Sequence, residues 1–160
     1  MNERRRHFSP PKSHHPTEAE TSGLAQIFPA IWSSLEADYG RENLVFPKEI
    51  IWLMGSPGAG KGTHSQFLQL ARGFSAHTIV SSELLNSPDA QRAKANGGLI
   101  DDAVVIEAVL RHLLRPEYQN GVIVDGYPRT PVQVEGIKLL RDKMFNLRQE
   151  FASASDRHFR

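Results

Sequence analysis

The sequence predicts an α/β fold, an open parallel sheet with helices on both faces, and two observations support this class. Short apolar runs alternate with longer segments in which apolar residues recur at helical spacing. A glycine-rich loop that ends in lysine lies between one apolar run and the start of a helix. Strands that alternate with helices in this way are joined by right-handed crossovers, which place them parallel in one sheet.

Three apolar runs are the predicted strands. Glu49–Met54 and Val122–Asp125 are apolar enough to be buried on both faces, and Thr78–Val80 is shorter. We expect the first run to be a central strand. In a three-stranded sheet only one strand has a neighbour on both sides, whereas two of these runs are apolar enough for such a position. The sequence therefore looks like part of a larger, truncated sheet.

The beginning of the chain has a different composition. Residues 1–16 are rich in Arg, His and Pro and are predicted to be a disordered tail. Residues 17–45 are predicted to be a helical extension, with a helix that ends near Gly40. It should dock on the domain formed by residues 46–151 through an apolar stripe of Leu24, Ile27, Ile31 and Leu35, together with Trp32.

Further helices follow the loop. One should begin at Lys61 and bury Phe67, Leu68 and Ala71, and a polar helical stretch should run from Glu83 to Asn96. Asp101 can cap another helix, and Pro131 suits the first turn of the last one. Residues 152–160 are predicted to fray. The last helix carries an apolar stripe of Val134, Ile137, Leu140, Met144, Leu147 and Phe151.

Bulk composition limits the classes of partner. A net charge of +1 gives no global attraction toward nucleic acid or membranes. The absence of cysteine excludes disulfides and thiolate metal sites. No apolar run approaches the roughly 18 residues that a membrane helix needs, and the N-terminal residues lack the apolar core that a secretory signal requires. We expect a cytoplasmic monomer, with an organelle-targeting function of Met1–His7 as the alternative.

The glycine-rich loop has the composition of a phosphate-binding loop. Its glycines permit backbone angles that let successive N–H groups point into one concavity, and the following helix adds its N-terminal partial charge. Lys61 can then reach the β and γ phosphates of ATP. The alternative is a plain turn that binds nothing. The residues predicted to hold ATP are Gly55, Pro57, Gly58, Ala59, Gly60, Lys61, Gly62 and Thr63.

A second polar cluster follows the third apolar run. Asp125 ends that run at its carboxyl edge, where ligands bind in open α/β sheets, and its carboxylate can hold Mg²⁺ through water. Arg129 offers a planar charged fork for a phosphate. The alternative is an ion pair between the two. The Gln133 amide can match the amino group and ring nitrogen of adenine, or it can be a solvated helix residue.

These motifs resemble a known family. Gly55–Thr63, with proline at its third position, is similar to the phosphate loop of adenylate kinases and related nucleoside monophosphate kinases. Asp125–Thr130 resembles that family's Asp-Gly-Phe-Pro-Arg signature, although Tyr127 replaces phenylalanine. Gly97–Asp102 and Val80–Leu85 look like its segments beside the monophosphate. The resemblance covers residues 49–140 and corresponds to the N-terminal portion of such an enzyme.

The resemblance implies transfer of the γ-phosphoryl group of ATP to AMP in the presence of Mg²⁺. It implies Lys61 and Arg129 as catalytic residues and Asp125 as the metal residue, and Gln133 favours AMP over pyrimidine monophosphates. It also implies a cis bond before Pro128, where trans is the commoner form statistically. The implied substrate-binding residues are Ser82, Gly98, Leu99, Ile100, Gly126, Arg129 and Gln133.

Two departures from the family bear on activity. The Ser81–Glu83 segment is one residue short, and Asn86 stands where the family usually has an arginine for the AMP phosphate, a role that Arg92 or Lys94 could take. The family's other arginines lie in a lid and in the helix after it. We therefore expect this chain alone to bind ATP but to turn over poorly. The alternatives are a nucleotide-binding module without turnover and a kinase for another small acceptor.

Overall fold

The computed structural model describes residues 18–84 and 101–152. The predicted disordered tail and nearly all of the predicted frayed end lie outside these ranges, as does most of the polar stretch from Glu83 to Asn96. Two short 3-10 turns, Arg41–Asn43 and Pro116–Tyr118, connect longer elements. These elements are α1 (Glu18–Tyr39), β1 (Ile50–Leu53), α2 (Lys61–Arg72), β2 (Ile79–Val80), α3 (Ser81–Leu84), α4 (Asp102–Leu113), β3 (Val122–Asp125) and α5 (Pro131–Glu150).

The strands form a parallel sheet in the order β1-β3-β2, flanked by helices, which confirms the predicted α/β class. Leu53 at the end of β1 and Val80 at the end of β2 both lie opposite Asp125, the last residue of β3. The carboxyl ends of the three strands therefore meet at one edge of the sheet.

The central strand of this sheet is β3. Its residues Val122, Ile123 and Val124 are fully buried, whereas all four residues of β1 are half-buried and β1 pairs with β3 alone among the described residues. The prediction of β1 as a central strand is therefore wrong for the described sheet. Apolar side chains show that the faces of a strand are covered, but they do not show how many strands lie beside it.

Helix α1 docks on the domain as predicted. Trp32 is buried and stacks with Phe28 and Phe46, at centroid distances of 6.3 and 5.8 Å. Ile27, predicted to lie in the stripe, is 41% exposed, and Phe28 takes its place. Both positions are helical neighbours of Leu24, but only Phe28 lies one turn before Trp32 and can stack on it.

Ion pairs join the end of α1 to the helices beside it. Arg41, which follows α1, contacts Glu36 of α1 and Glu150 at the end of α5. Arg111 of α4 contacts Asp38 of α1 at 2.8 Å. These contacts are partly exposed and contribute little to the free energy of folding, so the apolar stripe supplies most of the attachment.

Helix α2 leaves much of its apolar surface exposed. Phe67 is 69% exposed and Leu70 is 84% exposed, while Leu68 is half-buried. The prediction that Phe67 and Ala71 point inward is wrong. The helix instead buries Ser65, whose hydroxyl lies 2.5 Å from that of Thr78. Because the two hydroxyls satisfy each other, a polar residue can occupy the buried position.

The predicted helix starts of α4 and α5 are confirmed. The Asp101 side chain accepts a hydrogen bond from the backbone of Ala103 and caps α4. Thr130 caps α5 by accepting from the backbone of Gln133, and Pro131 occupies the first turn. Each cap supplies an acceptor for an N–H group that has no partner within its helix.

None of the helices in residues 18–84 and 101–152 is long and apolar enough to cross a membrane.

Candidate functional site

The phosphate-loop segment lies where the sequence places it, between the carboxyl end of β1 and the first turn of α2. Gly58 and Gly60 adopt left-handed backbone angles, with φ of 79° and 76°. A Cβ at Gly58 would meet nothing within 4 Å, so the requirement for glycine there is conformational and not steric. The loop can therefore turn its backbone toward a ligand without strain.

Lys61 folds back over this loop. Its Nζ donates to the carbonyl oxygens of Gly55 and Ser56, at 2.9 and 3.1 Å. The ammonium group thus lies against the loop backbone at the cleft, held by exposed hydrogen bonds that a phosphate oxygen can replace.

The second polar cluster is organised around the carbonyl oxygen of Gly126. Arg129 Nε donates to this oxygen at 2.7 Å, and Ser81 Oγ donates to it at 2.8 Å. Gly126 has a φ of 77°, and a Cβ there would lie 3.0 Å from both donor side chains. The following Tyr127–Pro128 bond is cis. The tight turn after β3 therefore depends on glycine for both its conformation and its space.

One cleft brings together seven of the thirteen predicted site residues that lie in the described part of the chain. It has a volume of about 530 Å³ and opens at the carboxyl edge of the sheet. A neighbouring cleft of about 470 Å³ shares Met54, Pro128 and Arg129 with it and adds Lys138. The first cleft is lined by Met54, Gly55, Pro57, Lys61, Val80, Ser82, Asp125, Gly126, Pro128 and Arg129.

Other predicted residues lie elsewhere. Gln133 does not line either cleft and is buried, with hydrogen bonds to Arg129 and Thr130. Three predicted substrate residues, Gly98, Leu99 and Ile100, lie outside the described part of the chain. The remaining predicted ATP residues belong to the same loop and the start of α2 but do not line the first cleft: Gly58, Ala59, Gly60, Gly62 and Thr63.

Asp125 presents an unusual carboxylate at this edge. Its Oδ1 is buried and has no hydrogen-bond partner, and no ion pair joins Asp125 to Arg129 among the described residues. An unpaired buried carboxylate oxygen is costly, and a cation or its water shell would satisfy it. The same residues contain no group of three acidic, His or Cys side chains that could enclose a metal. The Asp125 carboxylate therefore fits as a single protein ligand of a Mg²⁺ ion that keeps most of its water.

Gln133 is engaged by the protein on both sides of its amide. Its Oε1 accepts from the backbone N–H of Arg129 at 2.7 Å, and its Nε2 donates to Asp102 Oδ1 at 2.8 Å. Thr130 Oγ1 donates to the same carboxylate oxygen at 3.0 Å. Gln133 is thus not the solvated helix residue of the alternative interpretation. Whether it reads a base stays a prediction.

Two site residues escaped the sequence reasoning. The sequence places Ser81 in a motif that is one residue short, so it does not indicate which serine faces the glycine turn. Asp102 follows the helix cap Asp101 in the sequence, but its contacts with Thr130 and Gln133 are tertiary. Burial, with a smaller contribution from the charge of Asp102, also raises the pKa of the Tyr127 hydroxyl above its ordinary range, so this hydroxyl remains protonated.

Comparisons with known proteins give one consistent family. The chain is 32% identical over 148 residues to an adenylate kinase of Aspergillus niger, covering 84% of this chain and 56% of that protein. It is 39% identical over 106 residues to an adenylate kinase of Xanthobacter autotrophicus, and the match covers 59% of this chain and 53% of that protein. It is 37% identical over 94 residues to an adenylate kinase of Gloeobacter violaceus, and the match covers 54% of this chain and 43% of that protein. The chain thus spans about half the length of these curated relatives. No family model matches it.

Proposed function

Because this chain is similar to adenylate kinases over most of its own length, we propose that it binds ATP with Mg²⁺ and transfers the γ-phosphoryl group to AMP, giving two ADP. The observation that carries the proposal is the cleft of about 530 Å³. It brings the loop lysine Lys61, the unpaired carboxylate of Asp125 and the guanidinium of Arg129 to one sheet edge. Phosphoryl transfer needs such positioning and charge stabilisation more than it needs covalent chemistry from the protein.

In the proposed reaction an oxygen of the AMP phosphate bonds to the γ phosphorus while the bond from that phosphorus to the β–γ bridging oxygen breaks. Lys61 would exchange its loop carbonyls for phosphate oxygens, and Arg129 would contact the phosphate that approaches from the other side. Bound Mg²⁺ supplies charge neutralisation of the phosphates, and Asp125 is the residue that would hold it. Ser82 and Gly126 would contact the monophosphate on the β2 side of the cleft.

A second candidate, a nucleotide-binding module without turnover, has its own support. Lys61 and Arg129 are the cations that line the cleft within residues 18–84 and 101–152. Kinases of this kind surround the transferring group with several cations, and one arginine there can be worth about 10³–10⁵ in rate. Binding and turnover are therefore tested separately.

Calorimetry with ATP and Mg²⁺ tests the binding. We expect Lys61→Ala to weaken ATP affinity at least about tenfold, since a charge-assisted hydrogen bond contributes about 1.5–3 kcal/mol. The control is Lys48→Ala, because Lys48 is an exposed lysine that lines a separate groove beside α5. Equal ATP affinity in the parent and Lys61→Ala would remove the phosphate loop from the proposal.

A further inference from the structure

We propose that Asp102 is a positioning residue: it fixes the orientation of the Gln133 side-chain amide and thereby the order in which that amide offers a donor and an acceptor to a nucleobase. The base-reading part rests on the proposed function together with the prediction that Gln133 contacts the adenine of AMP. The orientation itself follows from hydrogen bonds within the protein.

The amide lies between two groups of opposite kind. Asp102 Oδ1 receives hydrogen bonds from Gln133 Nε2 at 2.8 Å and from Thr130 Oγ1 at 3.0 Å. On the other side, the backbone N–H of Arg129 donates to Gln133 Oε1 at 2.7 Å. Thr130 Oγ1 also accepts from the backbone N–H of Gln133 at 3.1 Å, which ties the carboxylate to the first turn of α5.

Only one orientation of the amide suits these partners. An ionised carboxylate only accepts, and a backbone N–H only donates. A flipped amide would face Oε1 toward Asp102 and Nε2 toward the N–H of Arg129, which places two acceptors together and two donors together. Gln133 is only 4% exposed, so water cannot replace the hydrogen bonds on the two sides of the amide that face Asp102 and Arg129.

The fixed amide keeps one N–H and one lone pair for a ligand, because Gln offers two donors and two acceptor sites in all. Adenine presents an amino donor beside a ring-nitrogen acceptor. Hypoxanthine, at the same two positions, presents a carbonyl acceptor beside an N–H donor. For a base held in one position, an amide that cannot flip therefore favours AMP over inosine monophosphate.

The structure separates this role from the stability of α4. The cap of α4 is Asp101, whose Oδ1 accepts from Ala103 at 3.1 Å, whereas the contacts of Asp102 run to α5. Two adjacent aspartates therefore form a matched pair. Replacing Asp101 weakens the helix start without touching Gln133, and replacing Asp102 releases Gln133 while the cap remains.

The experiment measures AMP and inosine monophosphate affinity by calorimetry for the parent, Asp102→Ala, Asp102→Asn and Asp101→Ala. We expect the parent to prefer AMP and Asp102→Ala to reduce that preference about tenfold, within the range for one bidentate base contact. Asp102→Asn keeps an oxygen acceptor and should retain the preference. Asp101→Ala should retain it as well. If Asp102→Ala does not fold, Asp102→Ser replaces it, since serine is too short to reach the amide.

A second readout does not require nucleotide. Amide hydrogen exchange by NMR should show that the Arg129 N–H is protected in the parent, Asp102→Asn and Asp101→Ala but exchanges at least about tenfold faster in Asp102→Ala, since the buried acceptor is then free to turn away. Unchanged Arg129 protection together with an unchanged AMP preference in Asp102→Ala overturns the proposal. If the parent protein binds neither nucleotide, only the base-reading part of the proposal is contradicted. The hydrogen-exchange data then decide whether Asp102 positions the Gln133 amide.

Discussion

Ser81 and Arg129 share one acceptor: both side chains donate to the carbonyl oxygen of Gly126, at 2.8 and 2.7 Å. Ser81 begins α3 directly after β2, while Arg129 lies four residues after the end of β3. The shared carbonyl thus joins neighbouring strand ends and holds the arginine beside the cleft. Ser82, the next residue, is exposed and lines the cleft itself.

We expect Ser81→Ala to reduce mainly stability and Ser82→Ala to reduce mainly AMP binding. Ser81→Ala removes a buried hydrogen bond and should lower the free energy of unfolding by about 1 kcal/mol. Ser82→Ala should change it by less than about 0.5 kcal/mol but weaken AMP binding. Urea unfolding and calorimetry measure the two quantities. Equal loss of stability in both variants would show that the Gly126 contact does not distinguish the serines.

Asp125→Asn should separate metal binding from stability. The variant removes the charge of a buried, unpartnered oxygen, so its melting temperature should not fall below that of the parent. Its ATP affinity should no longer increase when Mg²⁺ is added. Thermal unfolding and calorimetry with and without Mg²⁺ check both expectations.

Asp142→Asn is the control for Asp125→Asn, because Asp142 is an exposed carboxylate beside Arg141. It should keep the Mg²⁺ dependence of ATP binding. Mg²⁺ dependence retained in Asp125→Asn would place the ion elsewhere.

Turnover by the 160-residue chain should be slow. Lys61 and Arg129 are the cations at the cleft in the described ranges, and a missing transition-state arginine costs about 10³–10⁵ in rate. A coupled ADP-formation assay should therefore give a kcat well below about 1 s⁻¹. A kcat within the usual range of about 1–10³ s⁻¹ would show that other residues of this chain supply the missing charge.

Replacement by alanine should change the stability of the protein in opposite directions at two glycines. Gly121 precedes β3 with a φ of 145°, and a Cβ there would enter the ring of Phe74. Gly121→Ala should destabilise the protein by about 3 kcal/mol through this overlap. Gly23 lies within α1 with nothing within 4 Å of its Cβ position, so Gly23→Ala should stabilise by up to about 1 kcal/mol. Thermal unfolding of both variants checks the signs.

Local signals predicted the framework well. The bounds of β3, the cap by Asp101 and the start of α5 at Pro131 match the sequence reasoning because each depends on residues within one turn or one strand. The phosphate loop is likewise a contiguous motif, and its lysine lies at the predicted edge of the sheet.

Contacts between distant segments could not be predicted in the same way. The bond between Asp102 and Gln133 joins residues 31 positions apart, and no periodicity indicates it. Helical spacing also could not decide between Ile27 and Phe28, since both are neighbours of Leu24. The apolar side chain of Phe67 predicts burial, yet the structure buries Ser65 on that helix and leaves Phe67 exposed.

The buried stripe of α1 has a consequence for how the molecule unfolds. Leu24, Trp32 and Leu35 belong to the same apolar cluster as Leu113 of α4 and Leu147 of α5. A helix that shares its core with the domain cannot melt first without exposing that core to water, so both should open in one cooperative step. Amides in the Trp32 turn and those of β3 should then both exchange with solvent only through global unfolding.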